Sequence, residues 1–292
     1  MAIAWGVGDK CRRVWSAPVV LCGLLLLATL GARAADVPSP ALDRGFHLLY
    51  NLNFTGAQQE FSVWEQQHPE DPLGPVSEAA GLLFSEFHRM GVLEAQFFEK
   101  DAAFAARHKL APDPAVRTRF NAALARTEEY ARSRLARDSK DRDALFAMTL
   151  ANGLNADYFA LVEKSNLSAL RYTKQATYWA EQLLAADPNY YDAYVATGMH
   201  KYIIGSMAAP LRWILRLGGI SGDKQAGIAD LELTAQHGRY LAPFARILLA
   251  IAYLRQQDTA RARDLLAGLR LEFPDNPLFA HELALLDGGH LP

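Results

Sequence analysis

The chain has 292 residues, 30 Lys and Arg against 32 Asp and Glu, a formal charge of −2, and two cysteines. That balance argues against a nucleic-acid binder, which would carry a basic face. Two cysteines are too few to frame a small disulfide-stapled module, so a hydrophobic core must hold the fold together.

The first 34 residues read as a secretory leader. Lys10, Arg12 and Arg13 form a positive start, Ala17–Leu30 is apolar, and Ala32-Arg33-Ala34 offers a small-x-small cleavage site. The apolar run is short for a bilayer span, so cleavage after Ala34 is expected, with an uncleaved anchor as the alternative. Cys11 and Cys22 both lie in this leader. The remaining 258 residues carry 26 basic and 31 acidic side chains. They hold no thiol for disulfides or metal binding in the oxidising compartment they would enter. No later stretch is apolar for long enough to cross a membrane. The expected location is periplasmic or secreted.

Beyond the leader, strand signals are nearly absent. Runs rich in Ala, Leu, Glu and Arg, such as 122–137 and 175–186, favour helix. They are broken at His68-Pro69-Glu70-Asp71-Pro72, Asp187-Pro188-Asn189 and Phe273-Pro274-Asp275-Asn276. In chain order the pattern predicts helices near 39–52, 55–67, 75–90, 92–106, 114–137, 142–162, 166–186, 191–206, 222–237, 241–255, 258–272 and 277–286. The fold class is all-α.

Small residues recur at fixed distances from the prolines. Gly45, Ala57, Phe61 and Pro69 repeat as Ala250, Ala262, Leu266 and Pro274, with small residues again ten after each proline at Ala79, Gly198 and Ala284. Gly or Ala lets two helices approach closely, a large apolar residue fills the space beside the crossing, and proline ends the second helix. This pattern resembles the tetratricopeptide (TPR) repeat. The resemblance implies a solenoid of helical hairpins over 35–292, with some longer helices near 142–186. An insertion at 205–222 breaks the phase. Asn189–Tyr194, Tyr202–Ser206 and Gly222–Gly227, with Gly153-Leu154 and Ala160–Lys164 upstream, are similar to a block found in exported bacterial TPR proteins. The proline-containing insertion followed by Gly222-Asp223-Lys224 is also similar to a eukaryotic TPR-like family of the mitochondrial outer membrane. These likenesses imply a fold and carry no activity with them.

Catalytic motifs are missing. There is no His-Glu-x-x-His, Gly-x-Ser-x-Gly or dinucleotide fingerprint. Gly218–Lys224 imitates a phosphate loop, but Asp223 separates the last glycine from Lys224 and Gln225 replaces the magnesium-binding hydroxyl; it reads as a helix-entry turn with Asp223 at the start. The eight histidines lack ligand spacing, and neither His88 near Glu86 nor His237 has company enough for a metal. No cofactor and no enzymatic activity are expected.

Two surfaces remain. In a TPR array the first helix of each pair lines the inner face, which here places Phe46, Leu49, Tyr50, Met199, Tyr202, Ile203, Ile251, Leu254 and Arg255 along a largely apolar groove. Such a groove suits an amphipathic helix or apolar peptide, unless the chain itself fills it. The segment 107–143 holds ten Lys and Arg against six Asp and Glu; it is either the solvated side of amphipathic helices or a face for an acidic partner or a lipid headgroup surface. Pro210–Leu217, with Trp213, is expected to fold over the array or to touch a membrane interface. The reading is a non-enzymatic protein- or peptide-binding scaffold of the cell envelope. Its alternative is a small apolar ligand held in a pocket that the 205–222 insertion closes.

Overall fold

The computed structural model describes residues 40–93, 111–207 and 221–288, and among these every regular element is helical. The helices are α1 (Pro40–Tyr50), α2 (Phe54–Gln67), α3 (Leu73–Arg89), α4 (Pro114–Arg137), α5 (Arg142–Asp157) and α6 (Asn166–Ala186). They are followed by α7 (Tyr194–Ser206), α8 (Lys224–His237), α9 (Ala242–Arg255), α10 (Thr259–Glu272) and α11 (Pro277–Leu286). The sequence-predicted helices fall on these within a few residues. Two differ in kind: the expected 142–162 helix ends at Asp157 and continues as a π-helical turn, Tyr158–Val162, and the 191–206 helix begins as a 3₁₀ turn, Tyr191–Ala193. The leader, most of the 92–106 helix and most of the 205–222 insertion, Trp213 included, lie outside the described residues.

Local chemistry sets the boundaries. Asn53, Asp113, Asp141, Asp223, Asp258 and Asn276 each accept a backbone N–H of the helix they precede. Each such cap is worth about 1 kcal/mol against alanine. Asp223 takes the N–H groups of Gln225 and Ala226, so the phosphate-loop look-alike is a helix cap. At the other ends, Pro69, Pro188 and Pro274 directly follow the capping residues His68, Asp187 and Phe273.

Successive helices pack against one another as hairpins. The small residues stand where they cross. A Cβ on Gly45 would lie 2.3 Å from the Phe61 ring, and Ala57 and Phe61 have no solvent exposure. Ala250, Ala262 and Leu266 are likewise fully enclosed. At the α7–α8 crossing two glycines face each other: a Cβ on Gly227 would stand 2.5 Å from the backbone nitrogen of Tyr202 and 2.7 Å from the Gly198 carbonyl oxygen. Neither backbone can yield without separating the helices. Gly227→Ala is therefore expected to destabilise by about 2–3 kcal/mol, in the range of overpacked cores, read as a drop in the thermal midpoint. An unchanged midpoint would mean that the helices are not in backbone contact there.

The two ends of the helical array meet. The Tyr50 hydroxyl donates to the Tyr240 carbonyl oxygen (2.9 Å), the Asn276 amide donates to the Tyr50 carbonyl (2.8 Å), and the Asp275 N–H donates to Asn51 Oδ1 (3.2 Å). Phe46 packs on Tyr240 with ring centroids 5.0 Å apart, and Tyr50 on Phe273 at 5.4 Å. Asp43 and Arg239 form a paired, exposed salt bridge at the rim, worth at most about 1 kcal/mol. Helix α1 is thus held against the entries to α9 and α11, about 190–226 residues away in sequence.

Part of the basic stretch is paired within the fold, and Arg107 and Lys109 lie outside the described residues. Arg119 and Arg126 pair with Glu78, Arg126 also with Glu65, Arg117 with Glu163, and Arg134 with Asp71, Asp141 and Asp143. Helix α4 presents these four arginines to carboxylates of α2, α3 and the neighbouring turns.

Candidate functional site

Because the two ends of the described array meet, the inner faces of several helices look onto one space. A cavity of about 190 Å³ is lined by α1 (Phe46, Leu49, Tyr50), α3 (Ala80, Phe84), α5 (Thr149, Leu150, Gly153, Leu154, Ala156, Asp157), α6 (Thr173, Ala176) and α7 (Val195, Ala196, Met199, Ile203). Leu52, Phe54 and Leu93 add to it, as do Leu241, Phe244 and Ile247 at α9 and Asn276, Leu278 and Phe279 at α11. Its wall is mainly hydrocarbon and aromatic ring, the composition of small-molecule sites. Leu52 reaches it from a left-handed backbone (φ 60°), a conformation that costs a bulky residue about 1–2 kcal/mol.

Of the residues expected on the inner face, Phe46, Leu49, Tyr50, Met199 and Ile203 line the cavity. Four do not, and the expectation is corrected for them. Tyr202 points the other way, into a cluster with Ile228, Leu231, Leu249 and Tyr253 between α7, α8 and α9. Ile251, Leu254 and Arg255 sit on the right stripe of α9 but too far along it; the wall uses Phe244 and Ile247, one to two turns earlier. The cavity ends before the last turns of α9, where Leu254 packs against the Tyr202 cluster and Ala250 against α10.

The polar groups on the wall are nearly all satisfied internally. Thr149 and Thr173 donate to the carbonyl oxygens of Leu145 and Ala169 one turn back, Tyr50 to Tyr240, and Asn276 to Tyr50. Asp192 accepts three backbone N–H groups, from Arg239 (2.9 Å), Tyr240 (3.0 Å) and Leu241 (2.7 Å), at the entry to α9. Burial raises the Asp192 carboxyl, and those three hydrogen bonds oppose the rise.

Asp157 is the exception. Among the described residues nothing bonds or pairs with its carboxyl, and burial alone pushes it up to about 7. It keeps part of its surface, as a residue bordering a cavity must. It is the last residue of α5, directly before the π-helical turn, whose Glu163 N–H reaches back to the Tyr158 carbonyl (3.1 Å). Such widened turns recur at functional sites. The turn is fixed from outside: Tyr158 stacks on Phe120 and its hydroxyl donates to Glu163, while Phe159 stacks on Tyr172. Among the described lining residues there is no Lys, Arg or His.

Gly153 is the other feature of α5 that composition alone does not explain. It sits in mid-helix, where glycine costs about 1 kcal/mol against alanine. A Cβ built on it meets nothing within 4 Å, because it borders the cavity. Among the described residues, the space beside Gly153 is open.

The remaining histidines make no centre. His88 lies over Phe54, while its neighbour Glu86 pairs with Arg89. Among the described residues no group of three or more His, Cys, Asp or Glu is arranged to hold a metal, and no helix is long and apolar enough to cross a membrane. Compared with known proteins, the chain matches no family model and no curated protein.

Proposed function

We propose that this chain is a non-enzymatic binding protein, a TPR-like array closed on itself, that holds a small apolar ligand in its central cavity. The observation that carries the reading is the direction of the inner faces. Phe46, Tyr50, Met199 and Ile203 line a common cavity shared with α3, α5 and α11. An open groove for a partner helix needs a free concave edge; here α1 is bonded to the segments before α9 and α11. The mid-helix Gly153 and the strained Leu52 give up stability at the cavity wall, as binding sites commonly do. With the leader removed as the sequence suggests, the ligand would be met in the cell envelope.

The test is a titration with the neutral dye N-phenyl-1-naphthylamine, followed by fluorescence, on the native chain and on Gly153→Phe. The new ring projects into open space, so the variant is expected to fold, and to melt no lower than the native chain because a helix-interior glycine is gone. The native chain should bind one dye in an apolar environment, and the variant at least tenfold more weakly. Equal binding by both, with both folded by circular dichroism, would place the dye elsewhere and sink the cavity reading.

A further inference from the structure

The cavity carries chemical information beyond its apolarity, and the inference drawn from it rests on the reading above. We propose that the ligand bears a cationic nitrogen, a protonated or quaternary amine on an apolar body, and that the Asp157 carboxylate is its counter-ion. The first support is the census of the wall. Thr149, Thr173, Tyr50, Asp192 and Asn276 have hydrogen bonds within the protein, so among the described lining residues Asp157 is the polar side chain without one. A carboxylate left alone among apolar side chains is costly, and a bound cation offsets that cost.

The second support is charge. No cationic side chain lines the cavity among the described residues, and its two carboxyl groups make the interior negative. A ligand carboxylate or phosphate meets repulsion there, and a neutral hydrocarbon leaves Asp157 unpaired. The third is the remainder of the wall: Phe46, Phe54, Phe84, Phe244 and Phe279 present aromatic rings, whose faces attract ammonium groups. The cavity wall thus offers an alkylammonium both a carboxylate and aromatic rings.

The arrangement also makes binding sensitive to pH. The other ionisable groups bordering the cavity are Tyr50 of α1 and Asp192 of the 3₁₀ turn, and both are tied up by backbone partners. At the two ends of the π-helical turn, Tyr158 and Glu163 bond each other, and Arg117 pairs with Glu163. Asp157 is thus the group on this wall that titrates near neutrality, since burial holds it near 7. A permanently charged ligand needs the ionised form, so its affinity should fall roughly tenfold from pH 8 to pH 6.

The probes are benzyltrimethylammonium and its uncharged isostere neopentylbenzene, in which carbon replaces the charged nitrogen. Each is measured by displacement of N-phenyl-1-naphthylamine from the native chain and from Asp157→Asn at pH 8. The native chain should prefer the ammonium by at least tenfold. In Asp157→Asn the preference for the ammonium over the isostere should vanish. If the native chain holds the dye but shows no preference for the ammonium, the amine inference is overturned and the cavity reading stands. An equal ammonium preference in both proteins overturns the role of Asp157. A native chain that binds neither dye nor probe overturns the cavity reading itself. Should the variant fail to fold, the native comparison of the two probes still decides.

Discussion

Asp157→Asn is expected to stabilise the unliganded protein at pH 8, by about 2–4 kcal/mol, or roughly 5–10 °C in thermal midpoint. The direction follows from linkage. The folded-state carboxyl is raised to about 7 from an ordinary 3.8, so between those values the folded protein holds a proton that the unfolded chain has released. Stability therefore declines as pH rises through this window and stays low above it. The full shift corresponds to about 4 kcal/mol, an upper figure for a group that keeps some exposure. Asparagine is near in shape to the protonated acid and cannot ionise, so the advantage of the variant should shrink below about 1 kcal/mol by pH 4.5. Because Asp192 is raised in the same direction, the informative quantity is the difference between native and variant along the pH axis. A variant that is no more stable at pH 8 would mean that the carboxylate is solvated or paired. A stabilising substitution at a wall residue is the mark of a group retained for something other than folding.

The opposite result is expected at Asp192. Asp192→Ala removes the acceptor of three backbone N–H groups, two of them on the buried residues Tyr240 and Leu241. The loss should be about 3–5 kcal/mol, since each orphaned buried donor costs about 1–3 kcal/mol and the carboxylate also faces the positive end of α9. The consequence reaches beyond local stability. The Tyr240 carbonyl accepts the Tyr50 hydroxyl and its ring packs on Phe46 and Phe146. Releasing 239–241 therefore loosens the contact that holds α1 in place, and ligand binding should weaken with it. Asp192→Asn keeps an acceptor oxygen for Tyr240 and Leu241 and should lose less than half as much. Denaturant melts of the two variants test this; equal losses would show that the charge matters rather than the hydrogen bonds.

These two aspartates mark what the sequence made legible and what it hid. The helices were readable because their signals are local: Asp and Asn caps, prolines after the C-caps, and small residues at crossings such as Gly45 over Phe61. The inner face was readable where it could be counted from a crossing residue on the same helix, as with Phe46, Leu49 and Tyr50 from Gly45. The same count put Ile251, Leu254 and Arg255 on the correct stripe of α9 and failed only in where the cavity stops. At Tyr202 it failed because Gly198 and Gly227 draw α8 so close that this side of α7 is core. Closure of the array was not legible. It rests on single atoms far apart in sequence, the Tyr50 hydroxyl and the Asn51 and Asn276 side chains, which look like ordinary helix-end residues. Asp157 looks like an ordinary helix terminus too; its meaning lies in a missing partner, and a missing partner has no sequence signature. The one local hint was Gly153, a glycine inside a strong helix pattern.

The central claim is that the chain encloses an apolar ligand against α1, α5, α7 and α9. It is tested most directly by methyl NMR spectra of the native chain, taken with and without saturating neopentylbenzene. The account predicts shifts at Ala80, Ala176, Ala196, Met199, Ile203 and Ile247, which border the cavity, and none at the exposed Leu167 and Leu271. Shifts confined to surface methyls, with the wall residues unmoved, would contradict it.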